Sequence, residues 1–252
     1  MLVPDVGTAV ASRRAVAAMF DVIAPRYDRF TRMFSFGMDA RWKRRILSWI
    51  RDTRLSEGAA LDIACGTGDL CFAVAQTLPA HTVIGMDVSE NMLHFARVRQ
   101  DAPANPDRMR NIVFMLGDAM LPACRAESLA LVTAGYGFRN VPDFRAALRQ
   151  IALCLREGGV LVTLDFYQPR SRLWCAAWIL YLRVTGLLVG WWWHRSPEVY
   201  GYIAKSIESF VTADEFATEL KAAGFQVVQE KRWLLGGIAA HMAIRRETEM
   251  RE

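Results

Sequence analysis

Short apolar runs rich in β-branched residues alternate with helical stretches between residues 59 and 166. In chain order, the five runs are AALDIA, HTVIGMD, NIVFMLGD, SLALVTAG and GGVLVTLDF. Each run is followed by a helical periodicity or a turn signal, which is typical of strands in a parallel sheet covered by helices on both faces. The pattern therefore predicts an α/β fold with a doubly wound sheet.

The end of this region predicts further elements. Pro142 and Asp143 favour the start of a helix, and Gly158-Gly159 are expected to end it. Two more strand-like runs, GFQVVQEKRW and GIAAHMAIRR, lie so close together that an antiparallel hairpin at one sheet edge is expected. The complete prediction is a seven-stranded, mostly parallel sheet with an antiparallel C-terminal hairpin.

Two segments fall outside the alternation and divide the chain. Residues 1–56 predict a helical arm in which basic and aromatic residues interleave, and residues 167–210 form an apolar, aromatic insert. We expect the arm to act as a lid on a domain of residues 57–252 that contains the insert. The arm pattern suits nucleic acid or a membrane surface, and it equally suits an amphipathic helix packed on the core.

The stretch Leu173–Trp193 within the insert is about as long as a bilayer-spanning helix. Arg183 lies at its centre, and Gly186 and Gly190 are expected to break it. We interpret it as a membrane-interface segment or lipid-tail groove, with its tryptophans at headgroup depth. A transmembrane helix and a buried core helix of a lid are the alternatives.

Composition limits the class of protein. The 252 residues are 53% hydrophobic and 23% charged, which excludes a disordered chain, a collagen-like repeat and a disulfide scaffold. The net charge of +5 is too small to argue for nucleic acid by itself. The five cysteines form no CxxC pair and the four histidines are scattered, so neither a metal site nor a disulfide framework is expected. No signal peptide is expected either, because the N-terminus lacks an apolar run after a basic start.

A glycine turn follows the first predicted strand. In Asp62-Ile63-Ala64-Cys65-Gly66-Thr67-Gly68, the glycines let a ligand approach the backbone, and the next helix offers its open N-terminus. The turn is not the dinucleotide fingerprint, because position 71, where a third glycine belongs, is Cys71. It predicts a cofactor other than a dinucleotide.

Acidic residues also lie at three successive strand ends. Asp62 lies just inside the first, Asp87 ends the second nineteen residues after Gly68, and Asp118 follows the third. An acid at the position of Asp87 faces the ribose hydroxyls of a bound nucleoside, and Asp118 could meet an adenine amino group. Each acid alone could be a helix N-cap. In combination, residues 59–166 resemble the S-adenosylmethionine site of class I methyltransferases.

The flanking motifs narrow the resemblance to the UbiE/COQ5 family of ubiquinone and menaquinone C-methyltransferases, over roughly residues 20–245. The matching motifs are Ala24-Pro25-Arg26-Tyr27-Asp28, the loop Asp62–Leu70 with Ala64 in place of the usual first glycine, Gly137-Phe138-Arg139-Asn140-Val141, and Pro197-Glu198-Val199-Tyr200-Gly201-Tyr202. The resemblance implies methylation of a ring carbon in a reduced, prenylated quinone, of either the demethylmenaquinol or the demethoxyubiquinol type.

The resemblance also implies roles for individual residues. S-adenosylmethionine is expected to contact Asp62, Ala64, Gly66, Thr67, Gly68, Asp87, Val88, Met92, Asp118, Ala119 and Gly135. Arg139 and Asn140, after the fourth strand, are expected to stabilise a developing phenolate or to take part in a water relay. Tyr27 is expected to close over the site as part of a lid. The alternatives are a structural ion pair from Arg139 to the helix bearing Asp143, and plain packing for Tyr27.

Several positions depart from the family pattern. Phe30-Thr31 stand where the family has Met-Asn, Asp39 where it has His, and Asp165-Phe166-Tyr167 where it has Glu-x-Ser; Glu157 replaces a proline. These changes lie near the expected substrate side, so the quinone stays open, and a methyltransferase for another hydrophobic aromatic or polyketide molecule is the alternative.

The expected partners follow from these observations. They are a lipophilic quinol and a peripheral membrane surface, met from the cytoplasmic side by the basic arm. A homodimer stays open, as does a non-catalytic, cofactor-binding subunit of a quinone-synthesis complex. Nucleic acid is not expected, because the chain lacks an Asn/Asp-Pro-Pro-Tyr-like motif.

Overall fold

A computed structural model of the chain describes residues 18, 20–21, 24, 31, 35, 37–102, 110–193 and 197–246. In residues 187–193, 197–201 and 203 it describes the backbone alone. Tyr27 and the rest of its motif after Ala24 lie outside the described residues.

A seven-stranded sheet forms the centre of the fold, in the order β3-β2-β1-β4-β5-β7-β6. The strands are β1 (Ala59–Ile63), β2 (Val83–Asp87), β3 (Ile112–Leu116), β4 (Leu129–Gly135), β5 (Leu155–Phe166), β6 (Phe225–Trp233) and β7 (Ile238–Arg245). The first five strands pair in parallel, and β7 pairs antiparallel with both β5 and β6. The predicted sheet and its terminal hairpin are confirmed.

Seven helices of the described chain surround this sheet. They are α1 (Asp39–Asp52), α2 (Asp69–Thr77), α3 (Glu90–Gln100), α4 (Phe144–Cys154), α5 (Arg172–Trp193), α6 (Pro197–Glu208) and α7 (Ala213–Ala222). Local capping fixes three of their starts. The Ser89 side chain accepts from the Met92 N–H, the Asp143 side chain accepts from the Ala146 N–H, and Thr212 forms a capping box with Glu215.

The expected end of α4 at Gly158-Gly159 is wrong. The helix ends at Cys154, and β5 begins at the next residue. Leu155 pairs with Leu129, whereas Val160 pairs with Leu131, so the residues between them bulge out of the ladder. Gly158 has a φ of 70°, a left-handed conformation that glycine adopts without strain. The glycines therefore serve a bulge in the strand.

The expected break in the insert is also wrong, because α5 continues through Gly186 and Gly190. An isolated glycine costs a helix only about 1 kcal/mol, and Leu187 and Leu188 between these two favour helix. Among the described helices, none combines the length and the apolarity needed to cross a membrane.

The helix α1 packs on the sheet through one apolar face. Trp42, Ile46, Trp49 and Ile50 are buried, with three- and four-residue spacing. The Trp42 ring lies 6.1 Å from that of Trp233 at the end of β6. This part of the arm is an amphipathic helix that rests on the core, and its polar side faces the carboxyl ends of the central strands.

Candidate active site

A pocket opens at the carboxyl ends of the central strands, where ligands bind in sheets of this topology. It encloses about 700 Å³, counting the space open to solvent. Its lining is Phe20, Ala64, Gly66, Asp87, Val88, Met92, Gly117, Asp118, Ala119, Gly135, Tyr136, Gly137, Asn140, Val141 and Pro142. A second pocket of about 590 Å³ adjoins it and shares Ala64, Gly66, Gly135 and Tyr136. We call the first the cofactor pocket, because it is lined by many of the residues that are expected to contact the cofactor, and the second the arm pocket, because α1 contributes to it.

The turn after β1 shapes the boundary between the two pockets. Ala64 and Gly66 have φ values of 50° and 56°, and Gly68 has 83°. The Gly66 N–H donates to Asp87 Oδ2 at 2.8 Å, which fixes the turn against the end of β2. Gly68 lines neither pocket. A Cβ there would lie 2.9 Å from the Phe72 ring and 3.0 Å from the Phe114 ring, so this glycine makes room for packing.

Asp87 is a buried carboxylate at the wall of the cofactor pocket. Its Oδ1 accepts from the Ser89 N–H at 2.9 Å, while Oδ2 accepts from Gly66. Burial raises the pKa of Asp87, although these backbone donors counteract the rise. Each oxygen has a second lone pair, so the carboxylate can still accept hydrogen bonds from a ligand hydroxyl.

Asp62 is more deeply buried, at 1% exposure, and lines the arm pocket. Its Oδ1 accepts from the Thr133 hydroxyl at 2.6 Å, whereas Oδ2 has no hydrogen-bond partner within the described chain. Burial raises the pKa of Asp62 to about 7, despite the opposing effects of Thr133 and of the nearby Lys43 charge. An orphaned carboxylate oxygen at a pocket wall is suited to a cationic ligand group.

The other expected cofactor residues divide between the two pockets. Val88, Met92, Asp118 and Ala119 line the cofactor pocket, Thr67 lines the arm pocket, and Gly135 lines both. Asp118 Oδ1 accepts from the Met120 N–H at 2.8 Å. This contact stabilises a local turn, which is a structural role similar to the helix N-cap considered as the alternative for this residue. Every expected cofactor residue except Gly68 therefore borders one of two adjoining pockets.

Arg139 and Asn140 lie in a short 3₁₀ turn after β4 but face different surroundings. Asn140 lines the cofactor pocket, its Nδ2 donates to the Tyr136 carbonyl at 3.2 Å, and its buried Oδ1 has no partner within the described chain. Arg139 lines neither pocket. Its Nη1 pairs with Asp165 Oδ1 at 2.7 Å, and the two side chains are 6% and 1% exposed. The ion pair thus joins Arg139 to β5, and the expected alternative partner, Asp143, is instead the cap of α4.

A charged network connects α1 to the strand ends. Lys43 Nζ contacts Asp39 at 2.8 Å and Asp69, the first residue of α2, at 2.6 Å. Burial opposes the charge of Lys43, but Asp69 and Asp39 outweigh burial and hold the Lys43 pKa above its ordinary value. Arg99 also contacts Asp69 at 2.8 Å. Although burial acts against it, these cations lower the pKa of Asp69 to about 2.

Tyr136 is the main residue that sequence reasoning missed. It lies between Gly135 and Gly137, lines both pockets, and has a φ of 61°, which is unusual for a residue with a side chain. Its hydroxyl donates to Asp39 Oδ1 at 2.7 Å. The two flanking glycines indicate unusual backbone geometry at this position. The contact with Asp39, 97 residues earlier, leaves no signal in the local sequence.

Comparisons with known proteins show which family the chain resembles. The profile of the ubiE/COQ5 methyltransferase family matches residues 8–245. The demethylmenaquinone methyltransferase of Lactiplantibacillus plantarum is 34% identical over 227 residues, which cover 90% of this chain and 94% of that protein. The enzyme of the same name from Staphylococcus aureus strain JH9 is 32% identical over 232 residues, covering 91% and 92%.

Solved structures support the fold. A methyltransferase of Thermotoga maritima, described as a possible histamine N-methyltransferase, has a TM-score of 0.60 at 19% identity and covers 92% of this chain and 100% of that one. Phosphoethanolamine N-methyltransferase 2 of Haemonchus contortus, solved with S-adenosyl-L-methionine, has a TM-score of 0.58 at 14% identity and covers 82% and 53%. With the family match over nearly its whole length, the chain belongs to the ubiE/COQ5 methyltransferase family.

Proposed function

We propose that this methyltransferase transfers a methyl group from S-adenosylmethionine to a ring carbon of a reduced, prenylated quinone of the demethylmenaquinol type. The curated relatives with 32–34% identity bear the name demethylmenaquinone methyltransferase, which supports the naphthoquinol over the benzoquinol. The observation that carries the proposal is the pair of adjoining pockets at the strand ends, whose walls include the glycine turn, Asp87, Asp62 and Asn140.

The residues present fit the cofactor. Asp87 offers oxygens to ribose hydroxyls, and the orphaned Oδ2 of Asp62 suits the amino group of the methionine part. Val88, Met92 and Ala119 provide an apolar wall for the adenine ring, with Asp118 beside them. S-adenosylmethionine supplies an electrophilic methyl group on a sulfonium when it is bound.

Asn140 is the residue best placed to meet the acceptor substrate. Its Oδ1 has no partner among the described residues and can accept a hydrogen bond from a ring hydroxyl, while its Nδ2 is anchored to the Tyr136 carbonyl. Arg139 stabilises the backbone to which Asn140 is bound. Its Nη1 donates to the same carbonyl at 2.7 Å while it pairs with Asp165. We therefore propose a positioning role for Arg139, and Tyr27 remains proposed as part of the lid.

Methyl transfer itself is the direct test. The purified protein is incubated anaerobically with S-adenosylmethionine and a reduced demethylmenaquinone or demethoxyubiquinone analogue, and the product mass is followed. We expect methylation of the naphthoquinol, and methylation of neither quinol would overturn the quinone assignment. Methylation of a different hydrophobic aromatic compound alone would favour the alternative substrate class.

Asp87 provides the matching test of the cofactor site. Asp87→Asn and Asp87→Ala should each weaken S-adenosylmethionine binding at least tenfold, about 1.4 kcal/mol, as expected for a lost charge-assisted hydrogen bond. Calorimetric titration measures the affinity, and the unfolding midpoint shows whether the variants fold. Asp101→Asn, at the exposed end of α3, is the control and should bind as the wild type does.

We also propose a peripheral contact with a membrane through the outer face of α5. Leu173, Leu180 and Val184 recur on that face and are 86%, 62% and 46% exposed, with Arg172 exposed beside them. Apolar residues at this spacing next to a cation suit the interface of an anionic bilayer. This surface would bring the protein to a quinol dissolved in the membrane.

Flotation with vesicles of phosphatidylcholine and phosphatidylglycerol tests the contact. Leu173→Ser combined with Leu180→Ser should reduce the bound fraction severalfold. Val98→Ser removes a 55% exposed apolar residue from α3 and is the matched control. Equal binding of both variants and the wild type would contradict the proposed surface.

A further inference from the structure

Tyr136 and Asp39 form a hydrogen-bonded pair at the boundary between the two pockets. The Tyr136 hydroxyl donates to Asp39 Oδ1 at 2.7 Å, and Lys43 Nζ contacts the other oxygen, Oδ2, at 2.8 Å. Tyr136 lines both pockets, and Asp39 lines the arm pocket. The hydroxyl of a residue that lines both pockets is therefore hydrogen-bonded directly to a carboxylate that lines one of them.

We propose that Tyr136 and Asp39 form a proton relay that accepts the phenolic proton of the quinol during methyl transfer. This inference rests on the proposed function, because a ring carbon becomes nucleophilic enough only when an adjacent or opposite hydroxyl gives up its proton. A general base within hydrogen-bond reach is the requirement for such a step.

The backbone around Tyr136 holds its oxygen in place for this role. Its left-handed conformation is kept by three hydrogen bonds: its N–H donates to the Leu164 carbonyl at 2.7 Å, and its own carbonyl accepts from Arg139 and Asn140. The ring packs 5.3 Å from that of Phe166. A strained residue held this firmly beside a pocket indicates a positional demand on its side chain.

The arm pocket next to the pair is built for polar chemistry. Asp62, 1% exposed, lines the same space, and its buried Oδ2 has no hydrogen-bond partner among the described residues. Asn140 lines the cofactor pocket, and its Nδ2 is bound to the Tyr136 carbonyl. A substrate hydroxyl that contacts Tyr136 would therefore lie beside the pocket that Asn140 and several of the expected cofactor residues line.

The proton transfer balances in the following way. The quinol O–H bond breaks as its proton bonds to Tyr136 Oη, and the original Tyr136 proton passes to Asp39 Oδ1. The electron pair left on the quinol oxygen feeds the ring carbon. That carbon would form its new bond to the methyl group as the bond between the methyl group and the sulfonium sulfur breaks, and the electron pair of the broken bond would stay on sulfur. The methylated carbon then loses its ring proton to water, and Asp39 returns a proton through Tyr136 to the product oxygen.

The variants Tyr136→Phe and Asp39→Asn remove the relay while keeping the shapes of the side chains. Each should lower the single-turnover rate of quinol methylation at pH 7 on the order of 100-fold, the usual contribution of a general base. The calorimetric affinity for S-adenosylmethionine should stay within about twofold, which separates a relay from a cofactor contact. Asp39→Glu should restore part of the rate, because it keeps the carboxylate.

The pH profile distinguishes proton transfer from mere packing. The deficit of both variants should shrink toward pH 10, where a phenol ionises without a base. The charged and titratable groups facing the pair are Lys43, Asp69, Asp62 and, through Asp69, Arg99. A deficit that is constant with pH, or wild-type rates in either variant, would overturn the relay.

Two controls keep the outcomes separate. Asp52→Asn lies at the exposed end of α1, and Tyr181→Phe removes a hydroxyl from α5; both should methylate as the wild type does. Urea unfolding shows whether Tyr136→Phe and Asp39→Asn fold, and Asp39→Glu supplies the comparison if Asp39→Asn does not. If the wild type leaves the quinol unmethylated, the proposed function fails. If the wild type methylates the quinol and Tyr136→Phe and Asp39→Asn do so at the same rate, only the relay fails.

Discussion

The buried ion pair between Arg139 and Asp165 permits a quantitative prediction. Asp165 Oδ1 accepts from Arg139 Nη1 at 2.7 Å and from the Phe166 N–H at 2.8 Å, and Oδ2 accepts from the Arg139 N–H at 3.3 Å. Asp165→Asn removes the charge and leaves the Arg139 guanidinium buried without its counterion. Loss of one partner of a buried pair costs about 3–5 kcal/mol, and we expect a decrease of this size in the free energy of unfolding.

Urea unfolding followed by far-ultraviolet circular dichroism measures the change. Arg139→Gln and the double variant complete a cycle, in which we expect a coupling energy of about 2–3 kcal/mol because the two side chains are in direct contact. The Arg51–Asp52 pair is the matched control. Its N–O distance is 3.6 Å and both side chains are 70% exposed, so Asp52→Asn should change stability by less than about 0.5 kcal/mol.

Two results would refute this reasoning. A loss of less than about 1 kcal/mol in Asp165→Asn would mean that water or another group replaces the carboxylate. Additive effects in the cycle would mean that the pair contributes packing alone. Burial raises the pKa of Asp165, and the Arg139 charge opposes this rise. Because burial penalises each charge on its own, we expect the stability cost of removing one side chain to depend strongly on whether the other is present.

Three further predictions concern stability. Burial raises the pKa of Asp62 from 3.8 to about 7, so the protonated side chain's contribution to stability is fully present below about pH 4 and is lost as the pH rises through 7. In urea unfolding, the free energy of unfolding of Asp62→Asn should therefore rise by roughly 2–3 kcal/mol relative to that of the wild type between pH 5 and 8. A difference that stays constant with pH would contradict the shift. Gly85→Ala should cost about 1–3 kcal/mol, because its Cβ would lie 2.6 Å from the Phe114 ring; Phe114→Leu should recover part of the loss, and an unaltered midpoint would disprove the clash. Ala64→Gly should stabilise by up to about 1 kcal/mol because φ is 50°, whereas Ala147→Gly in α4 should destabilise.

Local sequence pattern was sufficient for most of the fold. The strands were found because apolar runs of this length, bounded by turn residues, have few other stable conformations next to helices. The errors were local as well. Gly158 and Gly159 were assigned to a helix end, although they form a bulge in β5, and Gly186 did not interrupt α5. A glycine marks unusual or costly backbone, but its neighbours decide what that backbone does.

From the sequence alone, Asp87 and the glycine turn were expected at the ends of successive strands, and the structure places both at the wall of one pocket. The partners of the charged residues were decided by tertiary structure. Arg139 meets Asp165, 26 residues later, because β4 and β5 are paired neighbours, and Tyr136 meets Asp39 because α1 packs across the strand ends. The strands and the residues at their ends are recorded in local patterns, whereas the pairing of buried charges depends on register and depth, which arise only when distant segments pack together.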